Sequence, residues 1–259
     1  MIGRCSDQGI KYPLSLLKDD VQMSGEPDAT KNYPLQHEWT LCAAAAVAEF
    51  PGALCTAATA CCAAHTAAAA ACCCSGSKCC FCLPRHCRWV GKKNVSFDKS
   101  MVQLCDFRTV QEFAQYWKGA PRPNQCFGGG NSIESLQIFK KGVRPMWEDV
   151  ANANGGEWQA RSSFDLSTLS SVWENLVMGL VGEQIDAGDE ITGARVVDKS
   201  RGRNMVFRLE LWYRNSSHEN EAVNLALRDK LMKVLNDGLE NSPAANLSFE
   251  KVSHNDKKW

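Results

Sequence analysis

The chain has 259 residues, in which 29 Lys and Arg balance 29 Asp and Glu for a formal net charge of +0. That length supports one buried core of roughly 150 to 200 residues with appended segments. The balance excludes a polyelectrolyte that engages nucleic acid through overall charge, so any such contact must be local. Met1 to Ser15 has no charged segment followed by an apolar stretch of leader type, and no run of about 20 strongly apolar residues follows it. A soluble, cytoplasmic chain is expected.

Residues 1–31 read as a disordered tail, 32–252 as the folded domain and 253–259 as a C-terminal tail, with a low-complexity insertion at 43–87. Of the 14 cysteines, eleven fall between Cys42 and Cys87, in a stretch built mostly of Ala and Cys without apolar periodicity. A disulfide framework would spread its cysteines through a small secreted chain, which this does not. Cys79, Cys80, Cys82, His86 and Cys87 crowd into one knuckle, whereas structural zinc pairs two knuckles across a longer loop. No metal and no cofactor are expected. The Ala run is a poor membrane span, because Ala gains little in lipid and Glu49, Pro51 and His65 interrupt it.

From Phe97 onward the pattern becomes that of an ordinary globular domain. Thr109 with Glu112 three residues later forms a capping-box signature, and Val110, Phe113, Ala114 and Trp117 recur at helical spacing, predicting a helix over about 109–118. Pro121 and Pro123 end it, and 128–130 form a Gly loop before a strand near Ile133–Phe139. A second strand is expected around Trp158–Ser162. Asp165 or Ser167 caps a helix carrying Leu166, Leu169, Val172, Trp173, Leu176 and Leu180 on one face, ending before Gly182. Strands at Ile191–Asp198 and Met205–Trp212 flank the basic turn Lys199 to Arg203 as a hairpin. A third helix spans about Glu219–Asn236, with Val223, Leu227, Leu231 and Val234 sharing a face, and a last strand fits Leu247–Val252. Irregular crossovers and frequent hairpins predict an α+β fold, a mostly antiparallel sheet covered on one face by three helices.

Between Gly142 and Trp158, Pro145 stiffens the approach to Trp147 and Glu148, and Gly155-Gly156 follows. A large aromatic and a carboxylate are thus presented together on a loop, although loop tryptophans also commonly pack into a core. Several blocks recur in order: Tyr33-Pro-Leu-Gln-His-Glu-Trp39, Thr109-Val-Gln-Glu-Phe113, Pro145-Met-Trp-Glu-Asp149, Gly155-Gly-Glu-Trp158, Trp173 with Gly182-Glu183, and Asn220-Glu-Ala-Val223. As a set they resemble the eukaryotic translation initiation factor 4E family, the messenger-RNA cap-binding proteins, over about 32–42 and 95–252. The Pro-Met-Trp-Glu-Asp string is the most specific of them.

The resemblance implies a curved antiparallel sheet with three helices on its convex face and the 7-methylguanosine cap on its concave face. N7 methylation makes guanine cationic, so stacking between two aromatics gains a cation–π contribution of about 0.5 to 2 kcal/mol. It further implies that Trp147 stacks on the base, that Glu148 accepts hydrogen bonds from guanine N1 and N2, that the Trp147 backbone N–H meets O6, and that Trp212 touches the N7 methyl. Gap-free counting from Thr109 puts Phe97 where the family has its second stacking tryptophan, with Trp89 as the rival. Lys199, Arg201, Arg203 and Arg208 fall on the family's basic hairpin and would meet the cap phosphates, although a solvated turn has the same composition. Glu157 reverses a position that is often basic in the family.

The resemblance also implies a convex-face groove for a Tyr-x₄-Leu-φ helix of a scaffold or repressor protein. Pro34, Val110, Ala114, Glu174, Asn175 and Gly182 occupy its positions, with Ala114 in place of a tryptophan and Glu174 in place of a leucine. Weak binding of a standard motif peptide is therefore expected. The competing functions are a cap-binding repressor or storage adaptor and a cap-degrading enzyme. The second lacks the Gly-x₅-Glu-x₇-Arg-Glu helix that such hydrolases need for metal, so no enzyme is expected. A monomer acting in translation initiation or its regulation is the expectation.

Overall fold

The computed structural model describes residues 32–45, 101–128, 133–186 and 188–255. Trp89, Phe97, the cysteine cluster at 79–87 and both chain ends lie outside them. Seven strands form one antiparallel sheet: β1 (Pro34–Ala45), β2 (Met101–Thr109), β3 (Ile133–Lys140), β4 (Gly156–Ser162), β5 (Ile191–Asp198), β6 (Phe207–Tyr213) and β7 (Glu250–Ser253), in the order β2-β1-β3-β5-β6-β4-β7. The helices are α1 (Val110–Gly119), the single turn α2 (Pro123–Cys126), α3 (Leu166–Val181) and α4 (Glu221–Leu235), the last preceded by a 3₁₀ turn at His218–Asn220. The α+β fold expected from the sequence is the one observed.

Capping chemistry sets the helix starts. The Thr109 hydroxyl accepts from the Glu112 N–H at 3.2 Å, while the Glu112 carboxylate reaches back to the Arg108 N–H at 2.9 Å. Asp165 accepts from the N–H groups of Ser167 and Thr168 at 2.9 and 3.0 Å. At the other end of α3, Gly182 caps the helix. Leu169, Val172, Trp173, Leu176 and Leu180 are all buried against the sheet, as their spacing predicts. Gly179 admits α4 at close range, since a Cβ there would lie 2.4 Å from Val234 Cγ1.

Some elements differ from the sequence expectation. Strands β1 and β2 carry no clear alternation, and β1 runs to Ala45, so its last residues belong to the Ala/Cys-rich stretch; Ala43 and Ala44 are buried by flanking strands. On α4 the buried position is Asn224, whose side-chain amide donates to the Asn215 carbonyl at 2.9 Å, while Val223 is 41% exposed. The helix begins at Glu221, two residues later than expected, and Leu227, Leu231 and Val234 are buried as their spacing predicts. Met205 lies in the hairpin turn and is exposed, so β6 begins at Phe207. The final strand is Glu250–Ser253, and the ordered domain continues to a buried His254.

The two faces of the sheet differ. Trp158, Ala194, Val196, Leu209 and Leu211 turn toward the helices and form the core with Phe113, Trp117, Leu227 and Leu231. The opposite, concave face carries three aligned rows: Phe139–Gly193–Trp212–Glu157, then Gln137–Arg195–Glu210–Gln159, then Ser135–Val197–Arg208–Arg161. Alternation along each strand makes the face polar.

Candidate functional site

The loop from Lys141 to Gly155 joins β3 to β4 beside the first of those rows. Its conformation is fixed from within. Asp149 accepts from the N–H groups of Arg144 and Ala151 at 3.1 and 3.0 Å. The buried Asn152 side chain donates to the Arg144 and Met146 carbonyls at 2.8 and 2.9 Å, immediately before Trp147. A Cβ on Gly155 would fall 2.0 Å from the Tyr213 carbonyl, so only glycine permits this close return to the sheet. Held this way, Trp147 is half-buried and Glu148 is exposed, side by side on the loop.

His254 secures the loop from behind. Its Nδ1–H donates to the Asn152 carbonyl at 2.8 Å, its Nε2 lies 3.5 Å from the Glu157 carboxylate, and its ring sits 4.6 Å from that of Trp212. Glu157, the reversed position, is therefore buried against an imidazole, an ionic pair whenever that ring is protonated. Trp212 is 1% exposed, edge-on to Phe139 at 5.4 Å, with the Arg195 guanidinium 5.3 Å from its ring centre. It stands as a wall of the site rather than an open platform.

Further along β6 the charge changes sign. Buried Glu210 meets Arg195 Nε at 2.7 Å and Arg208 Nε at 2.5 Å, and accepts from the Trp212 indole at 3.0 Å. Arg161 faces Arg208 across the β4–β6 pair. Beyond them the hairpin turn exposes Lys199, Arg201 and Arg203, closed by a mutual Arg201–Asn204 backbone pair. Desolvation of its amine holds the Lys199 pKa below the usual lysine range. Repulsion from Arg208 and Arg195 adds to this, against smaller opposing pulls from Glu210 and Glu134.

Trp212 and Arg208 thus share the concave face, the basic turn continues from their strand, and the loop carrying Trp147 and Glu148 is tied to the Trp212 row through Asn152 and His254. The supporting residues Asn152, Glu157, Arg195, Glu210 and His254 were not read as site residues from the sequence, except for the anomaly at Glu157. On the convex side, Val110 and Ala114 are buried, Gly182 is buried and Pro34 is exposed. Glu174 accepts from the Trp117 indole at 3.2 Å and lies 3.9 Å from Arg122, whose guanidinium stacks 3.8 Å from the Trp117 ring centre. Asn175 donates to the Asp237 and Leu235 carbonyls at 2.8 and 3.2 Å, tying α3 to the end of α4. Among the described residues no helix is long and apolar enough to cross a membrane.

The model of the family described as eukaryotic initiation factor 4E matches residues 81–258, more than half of the chain. A wheat (Triticum aestivum) protein named eukaryotic translation initiation factor NCBP is 36% identical over 148 residues, covering 57% of this chain and 59% of its own. An Arabidopsis thaliana protein named eukaryotic translation initiation factor 4E-2 is 34% identical over 143 residues, covering 55% of each. The matched region thus spans under two thirds of these relatives' length. Among solved structures, C. elegans eIF4E-3, in a complex with the 4E-binding protein Mextli and a cap analog, has the same fold. Its TM-score is 0.56 at 24% identity, covering 87% of this chain and 95% of that one. With the sheet, the helices and the Pro145–Asp149 loop in place, the family match over most of the folded domain leads to one conclusion: this chain belongs to the eukaryotic initiation factor 4E family.

Proposed function

We propose that this chain binds the 7-methylguanosine cap of messenger RNA and acts, without catalysis, in translation initiation or its regulation in the cytoplasm. The observation that carries this is the charge order along the concave face. Glu157 stands opposite Trp212 at one end of that face, beside the loop that carries Trp147 and Glu148, while Arg208 and, in the turn next to it, Lys199, Arg201 and Arg203 lie toward the hairpin. Trp212 to Arg208 is four residues of strand, about 14 Å. A ligand with a cationic aromatic head and a polyanionic tail has this polarity, and a methylated guanine with its triphosphate is one. In this reading Trp147 stacks on the base and Glu148 accepts its N1 and N2 hydrogens. Phe97 supplies the opposing face, Trp212 backs the methyl group, and the basic hairpin takes the phosphates.

The second reading, a cap-binding repressor or storage adaptor, is favoured by the convex face. Where a motif helix would bury an aromatic anchor, Ala114 is small, and Glu174 is occupied by Trp117 and Arg122. Recruitment of a standard scaffold helix would have to break that ion pair, so the partner is a scaffold or repressor with a non-standard motif.

The test is retention of the purified chain on 7-methylguanosine resin. Elution by 7-methylguanosine triphosphate but not by guanosine triphosphate supports cap binding. Flow-through, or elution by both nucleotides alike, rejects it.

A further inference from the structure

We propose that Arg195 and Arg208, held by Glu210, form a paired-guanidinium clamp for the ligand's oligophosphate, with Glu210 as the positioning residue. The inference rests on the cap-binding reading and extends it to two residues, Arg195 and Glu210, that no motif in the sequence singles out.

Glu210 is fully buried between the two arginines: its Oε2 accepts from Arg195 Nε at 2.7 Å, and its Oε1 lies 2.5 Å from Arg208 Nε as an ion pair without a hydrogen bond. Meeting an arginine at Nε leaves its two terminal nitrogens, the fork that suits phosphate oxygens, available. Neither fork has a hydrogen bond among the described residues. Trp212 fixes the third contact of the carboxylate through its indole N–H, and Arg195 lies over that same ring. The acid that orients the clamp is thus tied to the base-binding end of the site.

Charge points the same way. Two guanidiniums around one carboxylate leave a net positive charge at a site that is largely removed from water, where an unbalanced charge is costly. Arg161 across the strand and Lys199 beyond Arg208 add to the excess. An anion on the concave face balances it.

The experiment is calorimetric titration of the full chain with 7-methylguanosine and with 7-methylguanosine triphosphate, reading the ratio of the two affinities. In Glu210→Gln the ratio should fall about tenfold, the equivalent of one charge-assisted hydrogen bond. The sign is diagnostic, because removing a negative charge would by electrostatics alone tighten triphosphate binding. An unchanged or higher ratio overturns the clamp. Arg195→Lys keeps the charge but cannot offer one edge to Glu210 and a fork to phosphate together. It should lower the ratio similarly, and full retention of the wild-type ratio overturns the proposal even if Glu210→Gln fails to fold. A wild-type chain that binds neither compound overturns the cap-binding reading and the clamp with it. Nucleoside binding with an unaltered ratio in both variants removes the clamp alone.

Discussion

Asn152→Ala isolates the brace that presents Trp147 and Glu148. The variant loses the two hydrogen bonds to the Arg144 and Met146 carbonyls, at 2.8 and 2.9 Å, while the backbone carbonyl that receives His254 remains. Two such bonds contribute about 1 kcal/mol each net, and freeing the acceptors in a partly buried loop adds somewhat less than another. Against this, the Asn152 Oδ1 is buried without a hydrogen-bond partner, so its removal offsets part of the loss. The balance is about 2 kcal/mol, which for a domain of this size lowers the melting temperature by about 4 to 8 °C. If the loop must be ordered to bind, the same energy appears as a loss of about 30-fold in affinity for 7-methylguanosine triphosphate. Differential scanning calorimetry and tryptophan-quench titration read the two effects. A variant that loses stability but binds with wild-type affinity would refute the coupling of brace to site.

Three further outcomes follow from local geometry. Asp165→Ala should cost about 1 kcal/mol at neutral pH by removing the α3 cap. Hydrogen bonds from Thr168, first from its hydroxyl and then from its backbone, hold the Asp165 carboxyl below the usual aspartate range. Its contribution is therefore full above the unfolded value of about 3.9 and disappears as pH falls through the lower folded one. Urea midpoints of variant and wild type should converge as pH falls through that lowered folded value, and a constant gap would exclude the cap as cause. Gly193→Ala places a Cβ 2.5 Å from the Ile138 carbonyl and from the Phe139 ring, which itself meets Trp212. A cost of about 2 kcal/mol in urea unfolding is expected, and wild-type stability would show that β3 can yield. Ala114→Trp combined with Glu174→Leu should raise affinity for a Tyr-x₄-Leu-φ peptide at least about tenfold by restoring an aromatic anchor. Equal weak binding of both proteins in fluorescence anisotropy would mean the groove lies elsewhere.

What could be read from the sequence were the features encoded locally. Thr109 and Asp165 announce their helices because a cap needs only the next few residues, and α3 follows its apolar stripe. The hairpin of β5 and β6 stands out because a basic, Gly-containing turn separates two β-rich runs. Strand β1 was missed because its last residues are alanines, weak strand formers that are buried here by the strands on either side, and the edge strand β2 because its sequence shows no clean alternation. The Trp147–Glu148 loop was recognisable by its motif, but its support was not. His254 reaches Asn152 across 102 positions, and Arg195 meets Glu210 only through the β5–β6 register. Register depends on bulges such as the one between Ile191 and Gly193, which the residues themselves do not advertise. Trp212 illustrates the same limit, since a motif position identifies the residue but not the Phe139, His254 and Arg195 side chains that enclose it.

The central claim is that Trp147 and Glu148 form the recognition pair for a methylated, cationic guanine. Its most direct test is parallel titration of wild type, Trp147→Ala and Glu148→Gln with 7-methylguanosine triphosphate and guanosine triphosphate. Wild type should prefer the methylated nucleotide by at least about tenfold, the scale of a cation–π contact, and both variants should bind it about a hundredfold more weakly. Retained methyl-specific binding in Trp147→Ala would contradict the claim.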